Sequence, residues 1–160
     1  MITITASGLA AVARHFEEMR RRAGELSPAW EEFLTWWSQT NREQFASRGA
    51  RWRSPWEPLA ASTRRQKRRE GFLADPLVRT TDLRSELVGR PLGVEHIRSD
   101  EVDAGTDISY AKFHQRGTRR MPRRRLVNAA AVAQEGAASS VIISWIVDGR
   151  PNVGGHRWER

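Results

Sequence analysis

Leu92-Gly93-Val94-Glu95-His96-Ile97-Arg98, then Ser99-Asp100, then Glu101-Val102-Asp103-Ala104-Gly105-Thr106: two stretches of strand character flank a two-residue turn. This hairpin decides the fold class, because most of the remaining regular structure reads as helix. The expectation is an α+β fold, with a small antiparallel sheet packed against two long N-terminal helices and a C-terminal helix.

Upstream, Leu9, Val12, Ala13, Phe16, Met19 and Ala23 recur at three- and four-residue spacing, which makes one apolar stripe on a helix. Ser7 is its expected N-cap and Gly24 its stop. A second helix is expected from Ser27 as cap and Pro28 in the first turn to about Ser47. Trp30, Phe33, Leu34, Trp37 and Phe45 form its inward stripe. Trp36 lies off that stripe, which either a second apolar surface or a core wrapped around the helix would explain.

Residues 50–60 read as a Pro/Trp-rich loop. Ser62 is the expected cap of a short basic helix to Glu70, and another short helix begins at Thr80 or Thr81 and stops at Gly89. Downstream of the hairpin, Tyr110 to Gln115 is a helical turn ending at Gly117. Thr118 to Arg125 is an arginine-laden loop, and Arg124 to Val127 returns as a strand. From Asn128 to about Val147 the alanines and the pairs Val141/Trp145 and Ile142/Ile146 favour helix over strand. The domain expectation is therefore one domain over 1–148, with an extended tail over 149–160. Met1 to Thr5 alternates apolar and polar like a strand or arm, and has neither the basic nor the apolar region of a signal peptide.

The 160 residues carry 27 basic and 19 acidic side chains, a formal +8. Lys67 and Lys112 are the two lysines, so the excess is arginine, which suits carboxylate and phosphate contacts but also follows from coding bias. The chain has no cysteine, which excludes disulfides and thiolate metal sites. His15, His96, His114 and His156 are scattered, without metal-ligand spacing. Asp100, Glu101, Asp103 and Asp107 lack calcium-loop spacing and read as a solvated hairpin. No phosphate-cradling glycine loop or nucleophile elbow is present. No catalytic residue, metal or cofactor is expected.

Two segments carry a resemblance. Trp56-Glu57-Pro58-Leu59-Ala60-Ala61-Ser62-Thr63-Arg64-Arg65-Gln66-Lys67 has the pattern W-x-P-L-x-x-x-T-x-x-x-K. Gly105-Thr106-Asp107-Ile108-Ser109-Tyr110-Ala111-Lys112-Phe113-His114-Gln115-Arg116-Gly117, followed by Met121-Pro122-Arg123-Arg124-Arg125-Leu126, has G-[ST]-x-x-x-Y-A-x-x-H-Q-x-G and then M-P-x-R-x-L. Together they resemble the phage virion morphogenesis (tail completion) family of Mu-like and P2-like tailed phages. Between them, Leu77 to Ser85 is similar to a further family segment, with Thr81 where glycine is usual. The likeness spans about residues 9–148.

That resemblance implies a structural virion protein. It would complete the head-proximal end of the tail and join it to the neck, as part of a ring of identical subunits, a hexamer. Its partners would be tail-tube and neck or connector proteins, with transient contact to packaged DNA and no membrane. Its place would be the virion, after assembly in the host cytoplasm. The expected structural motif is Trp56, Pro58, Leu59, Thr63, Lys67, Tyr110, His114, Gln115, Gly117 and Pro122. Trp56, Pro58 and Leu59 would lock the loop to the helical layer, and Gly117 would allow a turn that a Cβ resists.

Expected interface or DNA-facing residues are Trp36, Arg64, Arg65, Arg68, Arg69, Arg119, Arg120, Arg123, Arg124 and Arg125, with Trp52 and Trp158 as further apolar anchors. The main rival is a nucleic-acid-binding module that uses the arginine-rich loop and helix near Tyr110 and Phe113. A second rival is a hydrolase with a site assembled from distant residues such as His114 and Asp107.

Overall fold

The computed structural model describes residues 8–127 and 131–154. Its helices are α1 (Leu9–Ala23), α2 (Ser27–Ala46), α3 (Ala61–Arg69), α4 (Asp82–Val88), α5 (Ala111–Arg116) and α6 (Ala131–Asp148). A single 3-10 turn, Ala50–Trp52, follows α2. Strands β1 (Val94–Ile97) and β2 (Val102–Gly105) form a two-stranded antiparallel sheet, so the mixed α+β expectation holds. Arg98 N–H donates to the Glu101 carbonyl at 2.9 Å and closes the hairpin over Ser99-Asp100.

Backbone proximity groups the described chain into two units. Unit one holds residues 8–33, Ile97–Glu101 and 135–154; unit two holds Leu34–His96, 102–127 and 131–134.

In unit one, the opening of α2 and the body of α6 supply the core, where Ala29 and Val141 are fully covered. The last turn of α6 is capped from outside. Arg22 Nη1 donates to the carbonyls of Ile146 and Val147, both at 3.1 Å, and so meets acceptors that a helix C-terminus leaves open. Trp145 Nε1 answers by donating to the Glu25 carbonyl at 2.7 Å. Leu26 N–H donates to the Ser99 carbonyl at 2.8 Å, fixing the entry to α2.

The expected tail departs from an extended form as far as residue 154. Gly149 takes φ +69, and Asn152 N–H donates to Ser144 Oγ at 2.8 Å while Ser140 Oγ donates to the Val153 carbonyl at 2.9 Å. Two helix hydroxyls therefore hold the chain against α6.

In unit two, α2 packs on α4 through side chains that an apolar pattern does not single out. Leu34 and Trp37 are buried as expected, but so are Asn41 and Gln44 in the same register. Ser38 Oγ donates to the Val88 carbonyl at 2.6 Å and Asn41 Nδ2 to the Leu87 carbonyl at 3.2 Å. A seven-residue helix has four terminal carbonyls without internal partners, and α2 supplies donors to two of them.

Two local expectations are corrected, and the stripe of α1 proves exposed. The cap of α3 is Ala60, with no side-chain cap bond, so Ser62 sits inside the first turn. Arg124 to Val127 is not a strand. The apolar stripe of α1 is not core: no residue of that helix is buried. Met1–Thr5, the Ser7 cap, the start of the last helix at Asn128 and Trp158 lie outside the described residues.

Candidate functional site

The signature residues gather in unit two as a set of side chains that tie distant backbone segments together. Trp56 is buried at the end of the loop after α2. Its indole N–H donates to the Arg125 carbonyl at 2.8 Å, and its ring meets Phe45 edge-on at 5.3 Å. Gln44 Nε2 donates to the same carbonyl at 2.9 Å. Gly49 lets the loop close: it has φ +91, and a Cβ there would lie 2.4 Å from the Ser54 carbonyl oxygen and 2.5 Å from the Trp56 ring. Leu59 is half-buried, but Pro58 is exposed, so locking the loop falls to Trp56.

Lys67 is 8% exposed and its ammonium donates to the carbonyls of Asp75 (2.7 Å) and Val78 (2.6 Å). This cation ties two carbonyls of the segment between α3 and α4, which the ion pairs Arg48–Asp75 and Arg79–Glu70, both at 2.7 Å, also anchor. Burial pushes the Lys67 pKa down, and the nearby Asp75 charge partly offsets that. Thr63, one turn earlier, is exposed beside the same cleft.

Gln115 accounts for the missing strand. Its Oε1 accepts from the N–H groups of Leu126 (2.7 Å) and Val127 (3.2 Å), while its Nε2 donates to the Val127 carbonyl at 2.9 Å. One side-chain amide thus satisfies the backbone groups that a neighbouring strand would otherwise pair. Arg124 N–H donates to the His114 carbonyl at 2.9 Å, joining the same segment to α5. Gly117 has φ +75, and a Cβ there would stand 3.1 Å from the backbone of Arg123, as the turn requirement anticipated.

Tyr110 and His114 meet edge-on at 6.0 Å. His114 Nδ1 is buried with no hydrogen-bond partner among the described residues, and burial, then the Arg124 charge, lowers its pKa. No hydrogen bond joins it to Asp107, which is exposed. Around this pair lies an open cleft of about 390 Å³, lined among others by Leu59, Lys67, Asp82, Tyr110, His114 and Arg124.

The arginines separate into two kinds. Arg124 is 5% exposed and its guanidinium donates twice to the Glu57 carbonyl, at 3.2 and 3.1 Å. It is a buried tie and not an outward contact, which corrects its place among the DNA-facing residues. Arg125 and Trp36 are half-buried. Arg64, Arg65, Arg68 and Arg69 on α3 are exposed and form no ion pair among the described residues. Arg119 and Arg120 sit exposed at the tip of a tight turn closed by the Thr118–Met121 bridge, with Pro122 half-buried and Arg123 exposed behind it. The Arg123 Nε donates to the Gln115 carbonyl at 3.1 Å.

Sequence reasoning missed Ser38, Asn41 and Gln44. Their signal was register, since Leu34, Trp37, Asn41 and Gln44 share one helical face.

Among the described residues, no group of three His, Asp or Glu side chains is placed to hold a metal ion, and no helix is long and apolar enough to cross a membrane. No family model, curated protein or solved structure matches this chain.

Proposed function

We propose that this chain is a structural component of a tailed bacteriophage virion, a subunit of a ring that completes the head-proximal end of the tail and joins it to the neck. The observation that carries this reading is Thr81. The resemblance calls for glycine there, and Thr81 has φ +71, in the left-handed region that a β-branched residue rarely enters and glycine enters freely. The backbone at this position thus has a conformation that glycine favours, although the residue is threonine.

The other signature residues support the same reading. Trp56, Lys67, Gln115 and Gly117 act on backbone carbonyls, N–H groups and turns, which suits a framework motif. Six copies in a ring would each bring a formal +8, so acidic faces of tail or neck proteins, or packaged DNA, would be the balancing partners. The native mass of the purified protein, by light scattering at low and high salt, tests the proposal. A closed oligomer free of nucleic acid is expected. A monomer that also fails to bind purified tail tubes would overturn it.

One observation favours the second reading, a nucleic-acid-binding module: the exposed arginines of α3 and of the 118–123 turn. Binding to duplex DNA that weakens steeply with salt, with no self-assembly, would select it.

A further inference from the structure

Lys67 and Arg124, both more than nine-tenths buried, line the same open cleft of unit two, and neither meets a carboxylate. Among the described residues their partners are main-chain carbonyls: those of Asp75 and Val78 for Lys67, and that of Glu57 for Arg124. An ammonium has three N–H donors and a guanidinium five. One N–H of Lys67 and the Nη1 group of Arg124 are therefore left to donate. A buried charge without a counter-ion is costly, and burial is the larger cause that moves both pKa values down.

The rest of the wall does not supply the counter-ion. Glu70 is paired with Arg79, and Asp82 accepts from Thr80 Oγ1 at 2.7 Å. With Arg79 counted, three cations face two carboxylates around the cleft, a surplus of one positive charge. Leu59, Leu77 and Val78 add apolar wall, and all three are half-buried, so a ligand can reach them.

We propose that this cleft binds a single carboxylate group carried on an apolar body. The carboxylate takes the open donors of Lys67 and Arg124 and cancels the surplus charge, while the apolar body covers Leu59, Leu77 and Val78. A phosphate group, nearer two charges at neutral pH, overshoots that surplus and leaves the apolar wall bare. The volume of about 390 Å³ lies at the small end of ligand sites. The ligand is accordingly a small organic acid, or one acidic side chain with an apolar neighbour, and both present the same chemistry. The site needs neither self-assembly nor DNA, so it stands apart from the ring reading.

His114 lines the cleft, and the Arg124 charge helps to lower its pKa, which makes its ring a reporter. The full chain is titrated with hexanoate, hexanamide, inorganic phosphate and an acetylated, amidated Leu-Glu-Leu peptide. NMR follows the His114 ring across pH, its signal identified by loss in His114→Gln. Hexanoate or the peptide should saturably raise the His114 pKa, because a bound anion offsets the Arg124 charge. Lys67→Met keeps the apolar stem and should weaken that binding about tenfold or more. Thr63→Trp, at the exposed rim, should block it, and serves where Lys67→Met does not fold. Tighter binding of the peptide assigns the site to a partner's side chain, and tighter binding of hexanoate assigns it to a free acid. No saturable shift with either one overturns the proposal. Equal binding of phosphate, which marks unselective attraction, or of hexanamide, which marks apolar filling alone, overturns it too. Unchanged binding in Thr63→Trp would place the site elsewhere and overturn it as well.

Discussion

The indole N–H of Trp56 donates to the main-chain carbonyl of Arg125, 69 positions later, at 2.8 Å. That carbonyl also accepts from Gln44, so three segments meet on one oxygen. The Trp56→Phe variant should keep the edge-on contact with Phe45 and leave the oxygen one donor. We expect it to lose about 1–2 kcal/mol of stability, and Trp56→Ala about 3–5 kcal/mol. Urea midpoints check both.

Gln115 both donates to and accepts from residues 126 and 127. The Gln115→Glu variant keeps the acceptors but sets a carboxylate against the Val127 carbonyl, at a cost of about 1–3 kcal/mol near neutral pH. In this variant the folded state favours the protonated acid, which can donate to Val127. Its folded pKa is then raised, so the penalty is present at high pH and shrinks as pH falls through that value. Stability of the variant relative to the wild type, measured down to about pH 4, should recover; a constant deficit would count against the assigned bonds.

Thr81 sits at φ +71 without a side-chain cap bond. Glycine keeps the same left-handed backbone without the Cβ clash, which relieves about 1–2 kcal/mol, and its extra unfolded freedom returns part of that. Thr81→Gly should stabilise the protein by about 0.5–1 kcal/mol, read as a rise in thermal midpoint. Thr81→Ala should gain much less, because alanine also resists this backbone.

His114 titrates below its ordinary value of about 6.5 because burial and then Arg124 disfavour the charged ring. Between its folded pKa and about 6.5, the unfolded chain binds more protons, so its contribution to stability increases with pH across that window. Below the window the full penalty of charging a half-buried ring applies. His114→Gln should flatten this part of the stability–pH profile while changing little above about pH 7.5. An unchanged slope would place the titration elsewhere.

The fold and the site were legible to different depths. Helix stripes, glycine stops and the 92–106 hairpin are local signals, and most observed elements lie within a turn of where they point. The strand expected over Arg124–Val127 failed because the chemistry that satisfies its backbone is one distant side chain, Gln115. The burial of Asn41 and Gln44 went unread because side-chain polarity alone does not say that a carbonyl lies opposite.

The sequence by itself determined the α+β class, the arginine-rich balance, the absence of cysteine chemistry and the need for unusual backbone at Gly117. These follow from side-chain periodicity, composition and the allowed backbone angles of single residues. Only the tertiary structure decided that Arg124 faces inward, that Lys67 holds a turn, and that the stripe of α1 faces outward. Amphipathicity says that a helix face needs cover; which surface supplies that cover, in the same chain or in the next copy, depends on contacts that no local pattern encodes.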